Sequence, residues 1–381
     1  MVQPMVWAEV DLSAIADNAR ELRRLTRPEA RLMAVVKANA YGHGAVEVAR
    51  TALAAGADFL GVARLGEAVS LRDAGVTAPT LIFSHTAPDD ADTLIRCDLA
   101  QTVFDLETAR AFSQQAQSFG QPIRLHLKVD TGMGRLGILP NTGRGVPLRQ
   151  EAVETARAIA SLPGILLEGL STHFAAADSA DKSFTQKQID RFMAFVAQLD
   201  LAGIQIPIKH AANSAAIIDH PEAHLDMVRA GIALYGLKPS EEVALSRIRL
   251  SPAMSLKSRI VQVKCVETGF PVSYGMTWTS ERPTTIATIP VGYADGVNRR
   301  LSNTGSMLVH GRRAPIRGRV CMDHTMIDVG DIPEARTGDE VVVFGRQYGA
   351  EIPAEEVAGL LGTINYEITS ALTARVERVF V

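Results

Sequence analysis

Eight short apolar segments alternate with segments of helical length between about residue 12 and residue 235. Nearly continuous apolar strands of this kind are typical of a parallel sheet that is covered on both faces. Eight strand–helix alternations therefore predict an N-terminal (β/α)8 barrel. The predicted strands are RLMAVVK (31–37), DFLGVAR (58–64), PTLIF (79–83), AQTVF (100–104), IRLHLKVD (123–130), ILLEGLSTH (165–173), IPIKH (206–210) and LDMVRAGIALYG (225–236).

The segments between these strands are predicted to be helices. In the first, Ile15, Ala19 and Leu22 share one helical face, and Ser13 is the predicted N-cap. A doubly wound sheet is the alternative for such an alternation, but no G-x-G-x-x-G motif follows the first strand. The predicted helices span residues 13–25, 44–55, 65–74, 106–119, 149–161 and 185–201.

After about residue 240 the sequence changes to short alternating runs, such as TTIATIPVG and DEVVVFG, separated by glycine and proline. This pattern predicts a mostly antiparallel β domain. We therefore expect two domains, residues 1–240 and residues 241–381. The first strand, residues 5–12, precedes the barrel and is a candidate to pair with the C-terminal domain.

The composition argues against several classes of protein. Lys and Arg number 39 against 42 Asp and Glu, without a long block of either sign, so we expect no nucleic-acid partner. The N-terminal residues lack a signal-peptide pattern and no stretch is apolar for long enough to span a bilayer, which predicts a cytoplasmic protein without membrane contact. Cys97, Cys265 and Cys321 have no metal-type spacing, so we expect reduced thiols and no metal site.

Basic side chains accumulate where the predicted barrel strands end. Taken singly, each is better explained as a solvated charge or a structural histidine. In a barrel, however, the carboxyl ends of the strands meet on one face. Two lysines, two arginines and two histidines on that face repel one another, so the group predicts an anionic ligand. These residues are Lys37, Lys128, Arg135, His173, His210 and Arg229.

A phosphate-bearing cofactor would supply that anion, and a lysine on the same face would form a Schiff base with an aldehyde. Composition and spacing alone do not identify the cofactor further. The candidate hydroxyl and glycine positions for the phosphate are Tyr41, Ser214, Gly231 and Tyr366.

The segment AVVKANAYGHG (34–44) resembles the cofactor-lysine motif of the alanine racemases, which are barrel-type pyridoxal-phosphate enzymes. Further segments look like motifs of that family in the same order, so the resemblance covers essentially the whole chain. They are LHLKVDTGMGRLG (125–137), STHFAAAD (171–178), RAGIALYG (229–236), VSYGMTW (272–278), VGYADGVNRRL (291–301), GRVCMDHTMIDV (318–329) and TINYEITSAL (363–372).

The resemblance implies interconversion of L-alanine and D-alanine on pyridoxal 5'-phosphate. Lys37 would carry the cofactor as a Schiff base and act as the base on the D-face. Tyr274, donated by the partner subunit of a homodimer, would act on the L-face. Two opposed bases are the minimal design for a racemase, because the proton leaves one face of the α-carbon and returns on the other.

The resemblance also implies how the cofactor and substrate are held. Arg135 would bind the phenolic oxygen of the cofactor and the substrate carboxylate, and Lys128, often carbamylated in the family, would position it. The Met322 backbone would help to orient the substrate carboxylate. The implied phosphate ligands are Tyr41, Ser214, Gly231, Ile232 and Tyr366. The implied entrance gate consists of Tyr293, Tyr366, Asp178 and Arg299.

Arg229 and His173 are implied to act together on the cofactor side. A guanidinium facing the pyridine nitrogen would keep that nitrogen unprotonated, which weakens the electron sink and suppresses transamination. His173 would link Arg229 to Tyr274, and a cationic Arg229–His173 pair would favour the phenolate of Tyr274.

Two other activities are open. An amino-acid decarboxylase of the same barrel family would pair the pyridine nitrogen with an acid, so Arg229 and Tyr274 argue against it. A non-catalytic pyridoxal-phosphate-binding barrel would lack the C-terminal β domain. His324 stands where the family more often has glutamine. This difference either has no functional effect or widens the substrate range to serine. The sequence leaves open whether D-alanine serves peptidoglycan precursor synthesis or L-alanine serves catabolism.

Overall fold

The computed structural model describes residues 4–140 and 150–381. The chain forms two compact units. The barrel unit consists of Ile15–Ala40 and Ala45–Ser251, and the second unit consists of the N-terminal segment through Ala14, Tyr41–Gly44 and Pro252–Val381. Within the described ranges, no helix combines the length and apolar character that crossing a membrane requires.

The barrel unit contains a closed barrel of eight parallel strands, which confirms the predicted fold. Each strand lies within one of the predicted apolar segments, because strands covered on both faces are built mainly from apolar residues. Strand β1 (Val6–Val10) precedes the barrel. The barrel strands are β2 (Arg31–Val35), β3 (Phe59–Val62), β4 (Thr80–Ile82), β5 (Ala100–Val103), β6 (Ile123–Lys128), β7 (Ile165–Ser171), β8 (Ile208–His210) and β9 (Met227–Ala230).

Helices alternate with these strands. They are α1 (Leu12–Leu25), α2 (Lys37–Tyr41), α3 (Ala45–Ala54), α4 (Leu65–Asp73), α5 (Ala91–Arg96), α6 (Leu106–Phe119), α7 (Gln150–Ala160), α8 (Ser183–Leu201) and α9 (Ser214–Asp219). Residue 149, the predicted start of the fifth helix, lies outside the described residues.

The predicted N-cap of α1 is wrong. The helix begins at Leu12, so Ser13 lies inside its first turn. Asp11 is the cap, since its carboxylate accepts the Ala14 N–H at 3.0 Å and the Ser13 hydroxyl at 2.6 Å. A carboxylate satisfies an unpaired amide of the first turn as a serine would, and it also stabilises the positive end of the helix.

The barrel unit extends to Ser251, beyond the expected boundary at residue 240. A reciprocal pair of hydrogen bonds explains this. Asn18 of α1 donates to the Ser251 carbonyl at 2.9 Å and accepts the Ser251 N–H at 2.9 Å. The segment after residue 240 is therefore bound to the first barrel helix.

The second unit is mostly antiparallel, as predicted. Its strands are β10 (Met254–Arg259), β11 (Gln262–Val266), β12 (Pro271–Val272), β13 (Trp278–Thr279), β14 (Thr284–Ile289), β15 (Ser306–Val309), β16 (Arg312–Pro315), β17 (Thr325–Asp328), β18 (Glu340–Gln347), β19 (Ala350–Ile352) and β20 (Glu377–Phe380). Its helices are α10 (Ala354–Leu361) and α11 (Asn365–Ser370).

The main sheet of this unit has the order β16-β15-β18-β10-β1-β20, with β19 paired to β18. Strand β1 pairs antiparallel with β10 and parallel with β20, so the N-terminal strand belongs to this sheet. Smaller sheets join β11-β14-β17 and β12-β13.

Candidate active site

Lys37 begins a left-handed turn directly after β2. Ala38, Asn39 and Ala40 have φ near 52°, which costs roughly 1–2 kcal/mol for each of the two alanines. The turn is held by side chains: the Glu67 carboxylate accepts the Ala38 N–H at 2.6 Å, and Asn39 accepts the Ala45 N–H at 2.9 Å. The backbone after Lys37 is therefore held in a conformation that its residue types disfavour.

The Lys37 amine lies in surroundings that favour its neutral form. Burial lowers its pKa, and the charge of Arg135 lowers it further, while Glu67 opposes them. A lysine must be neutral to attack an aldehyde. These surroundings therefore suit a nucleophilic amine.

Arg229 of β9 is buried and held by four contacts. Nη1 lies 2.9 Å from Nδ1 of His210, and Nη2 lies 3.0 Å from Nδ1 of His173. Nη2 also donates to the Thr172 and Ala211 carbonyls, both at 2.9 Å. Burial lowers the pKa of Arg229 to about 10, so the group stays protonated at neutral pH. None of its four acceptors is charged, so the positive charge of the guanidinium is not neutralised by them and can interact with a bound group.

The electrostatics of the site determine where the positive charge of the Arg229–His173 pair lies. Burial, Arg229 and Lys128 hold the pKa of His173 well below its ordinary value, so this imidazole is neutral at pH 7. Because a guanidinium only donates, Nδ1 of His173 is the acceptor and the ring proton lies on Nε2. The positive charge of the pair thus lies on Arg229 alone, and His173 presents an N–H donor.

Lys128 ends β6 among the same cations. Burial and the charges of Arg229 and Arg135 hold its pKa well below the ordinary value, and Asp130 opposes them only in part. This amine is therefore shifted towards the neutral form too. The pKa of His173 also responds to Arg135 and Lys37. The structure thus brings the predicted basic cluster together on one face of the barrel.

Asp130 organises the loop that carries the exposed Arg135. Its carboxylate accepts the N–H groups of Gly132 at 2.9 Å, Met133 at 2.8 Å and Arg135 at 3.1 Å. Those hydrogen bonds lower the pKa of Asp130 against the opposing effect of burial. The carboxylate therefore stays ionised, and its backbone donors fix it in place within the loop.

Ser214, Gly231 and Ile232 form a second polar group in the barrel unit, and all three are buried. The Ser214 hydroxyl oxygen accepts the N–H of Gly231 at 2.9 Å and that of Ala233 at 3.3 Å. Because the oxygen already accepts two hydrogen bonds, the hydroxyl proton remains available to donate to an anion.

Tyr41 and Tyr366 meet in the second unit. Their ring centroids lie 6.0 Å apart with the planes tilted by 49°. Burial raises the pKa of Tyr41 to about 12. The Tyr41 phenol is thus neutral and able to donate a hydrogen bond to an anion.

Tyr274 lies on an exposed face of the second unit, with 71% of its surface accessible. Its neighbour Ser273 donates to the Arg319 carbonyl at 2.6 Å, which connects the segment of Tyr274 to the loop that contains Met322. Tyr293 joins the same segment through its N–H, 3.0 Å from the Cys321 carbonyl. Tyr293 and Met322 are exposed as well.

The remaining predicted gate residues lie in different units. Asp178 of the barrel unit is half-buried, and its carbonyl accepts the Ser240 hydroxyl at 2.6 Å. Arg299 of the second unit is exposed and begins a short 3-10 helix.

The sequence did not identify two residues that shape the site. Glu67 stabilises the left-handed turn that begins at Lys37, and Gln188 is a buried side chain in α8. Gln188 donates to the His173 carbonyl at 3.1 Å and accepts the Ala175 N–H at 2.9 Å, which fixes the loop after β7. Glu67 had a detectable signal, because a glutamate at the third position of a helix is typical of a capping box. Gln188 had none.

The residues present fit pyridoxal phosphate. They supply an amine with a lowered pKa, hydroxyl donors for a phosphate, and a cation at Arg229 with uncharged acceptors. A barrel with this set of groups belongs to the pyridoxal-phosphate class of enzymes.

Comparison with known proteins narrows the class to one family. The model of the alanine racemase N-terminal domain matches residues 10–239, and that of the C-terminal domain matches residues 253–380. An alanine racemase of Desulfosudis oleivorans is 53% identical over 98% of this chain and 96% of its own length. One from Methanococcus maripaludis is 49% identical over the full length of both chains. The solved alanine racemase of Clostridium difficile 630 superposes with a TM-score of 0.94 at 40% identity, covering 100% of this chain and 97% of that one.

The chain therefore belongs to the alanine racemase family, the isomerases that interconvert L-alanine and D-alanine with pyridoxal 5'-phosphate.

Proposed function

We propose that this chain interconverts L-alanine and D-alanine by proton transfer between two opposed bases, Lys37 and Tyr274. The observation that carries the proposal is the buried Arg229, whose hydrogen-bond acceptors are all uncharged. With the cofactor bound, a permanent cation facing its ring nitrogen would favour brief proton exchange over decarboxylation or transamination, which need a stronger electron sink.

Bound pyridoxal phosphate supplies an electron-withdrawing ring that acidifies the α-proton of the amino acid. Lys37 binds the cofactor and, through its weakly basic Nζ, holds or returns the proton on one face. The Tyr274 hydroxyl does the same on the other face. The neutral His173 donates from Nε2 and is proposed to stabilise the tyrosine oxygen when it has lost its proton.

The other roles follow from the same chemistry. Arg135 is proposed to bind the substrate carboxylate, with the Met322 backbone helping to orient it. The residues that would hold the phosphate are Tyr41, Ser214, Gly231, Ile232 and Tyr366. Access is controlled by Tyr293, Tyr366, Asp178 and Arg299.

We also propose that the enzyme is a cytoplasmic homodimer that provides D-alanine for peptidoglycan precursors. The exposed aromatic and methionine side chains support dimerisation, since Tyr274 and Met276 are 71% and 68% accessible. Apolar groups in one exposed segment are typical of a surface that is covered by a partner. The free state of all three cysteines supports a reducing compartment.

The direct test is incubation of the purified protein with L-alanine and, separately, with D-alanine, followed by chiral chromatography. We expect each enantiomer to approach the racemic mixture, with absorbance from bound cofactor in the visible spectrum. Release of carbon dioxide without the opposite enantiomer would instead establish a decarboxylase.

Arg229→Glu is expected to raise the number of transaminations per racemisation and to slow racemisation roughly 100-fold. The carboxylate would stabilise a proton on the cofactor nitrogen and so strengthen the electron sink. The measurement is pyruvate formed per D-alanine formed. Arg229→Lys, which keeps a cation, is the control and should stay near the wild-type ratio. An unchanged ratio in the glutamate variant would show that Arg229 does not face the cofactor nitrogen.

Lys128 is expected to carry a carbamate. Its depressed pKa favours the neutral amine, and a neutral amine adds carbon dioxide to give a carbamate and one released proton. The anionic product would be stabilised by Arg135 and Arg229. In a ¹³C-bicarbonate solution the protein should show one carbamate signal by ¹³C NMR that grows as pH rises. Lys128→Gln is the control, and a signal that survived in this variant would assign the carbamate to another lysine.

A further inference from the structure

A continuous chain of hydrogen bonds runs from Arg229 through two histidines to a carboxylate. Arg229 Nη1 lies 2.9 Å from His210 Nδ1, and the second ring nitrogen of His210, Nε2, lies 2.9 Å from His126 Nδ1. Nε2 of His126 lies 3.1 Å from Oε1 of Glu168. The chain joins strands β9, β8, β6 and β7 of the barrel.

The residues at the two ends of this chain determine which atom donates in each of its hydrogen bonds. A guanidinium donates only, so His210 accepts at Nδ1 and carries its proton on Nε2. That proton is donated to Nδ1 of His126, which must then carry its own proton on Nε2 and donate it to the carboxylate. Burial lowers the pKa of both imidazoles, that of His210 strongly, so each ring is neutral and has a single tautomer.

The backbone is shaped to admit the middle of the chain. A Cβ on Gly169 would lie 2.0 Å from Nδ1 of His126, so only glycine leaves room for that ring. The pairing of β6 with β7 shifts register between Leu125 and His126, opposite this glycine. His126 and His210 are fully buried, and their rings pack edge to face at 5.1 Å.

We propose that Glu168, His126 and His210 are positioning residues that orient Arg229 and provide it with a counter-charge through the polarised imidazoles. The inference rests on the proposed function, because it assigns a purpose to the orientation of Arg229. The chain and the three other acceptors engage both terminal nitrogens, so the guanidinium cannot rotate. Its Nε–H remains for a bound group.

The test compares three variants by two readouts. Glu168→Leu removes the terminal acceptor, and Glu168→Gln keeps an acceptor oxygen but loses the charge. Asp98→Asn is the matched control, since Asp98 pairs with Arg124 beside Glu168 without joining the chain. Tautomers are read by ¹⁵N NMR of histidine-labelled holoenzyme, with His126 assigned by the loss of its signals in His126→Gln. The second readout is pyruvate formed per D-alanine formed.

In the wild type and in Asp98→Asn, we expect His126 and His210 each to show one protonated nitrogen, Nε2, and one bare nitrogen, Nδ1. Glu168→Leu should show mixed tautomers, and its transamination per racemisation should rise about tenfold, because a donor loses its acceptor. Glu168→Gln should keep single tautomers and change that ratio by less than about threefold.

A charged His126 or a proton on its Nδ1 in the wild type would overturn the inference. Wild-type tautomers together with a wild-type ratio in Glu168→Leu would overturn it too. A wild type with the expected tautomers but no racemisation would instead refute the proposed function and leave the chain intact.

Discussion

Lys37→Ala is expected to abolish covalent attachment of the cofactor and to reduce racemisation by at least about 10⁴-fold. One side chain supplies both the Schiff-base nitrogen and the base on one face, so both functions disappear together. Borohydride reduction followed by mass spectrometry of the peptides should find the cofactor on Lys37 in the wild type and on no lysine in the variant. Chiral chromatography gives the residual rate.

The matched control is Lys209→Ala. Lys209 is a half-buried lysine of β8 paired with Asp226 at 3.8 Å, and it has no proposed contact with the cofactor. This variant should keep both the reducible link and most of the activity. A reducible link that persisted in Lys37→Ala would assign the cofactor to another lysine and refute the proposed site.

Two inactive chains are expected to restore activity when they form mixed dimers. Lys37→Ala damages the barrel side of the proposed site, and Tyr274→Phe damages the side donated by the partner subunit. In a two-fold dimer with shared sites, a mixed dimer has one intact site and one doubly damaged site. After unfolding together and random reassembly, half of the dimers are mixed, so about a quarter of wild-type activity should return.

The measurement pairs activity with native mass spectrometry, which counts the mixed dimers through different affinity tags. Mixing Lys37→Ala with a differently tagged Lys37→Ala chain is the control and should restore nothing. Demonstrated mixed dimers without activity would show that Lys37 and Tyr274 act within one chain, and the shared-site proposal would fail.

The sequence predicted the architecture well because the signals for it are local. A barrel strand covered on both faces is mainly apolar along its length, and its helix follows within a short distance. All eight strands therefore lie in the predicted segments, and β10 to β20 follow where the pattern becomes alternating. The motifs around Lys37 and Arg135 were also contiguous, so the family was recognisable from the residues.

Features that depend on partners distant in the chain were not predictable in this way. The cap of α1 is Asp11, since the helix begins one residue earlier than its hydrophobic face suggests. The left-handed turn at Ala38–Ala40 contradicts the preferences of its own residues, and it depends on Glu67 from a later helix. The periodicity of apolar residues nearby in the sequence predicts neither the cap nor the turn.

The sequence by itself determined the order of strands and helices, the antiparallel C-terminal half and the set of basic groups on the barrel face. Only the tertiary structure decided the charge states of that set. His173 is neutral, so the positive charge lies on Arg229, and His126 and Glu168 are linked to Arg229 only when the barrel closes. The physical reason is that pKa values and tautomers depend on burial and on donors from other strands, and both arise only from the folded arrangement.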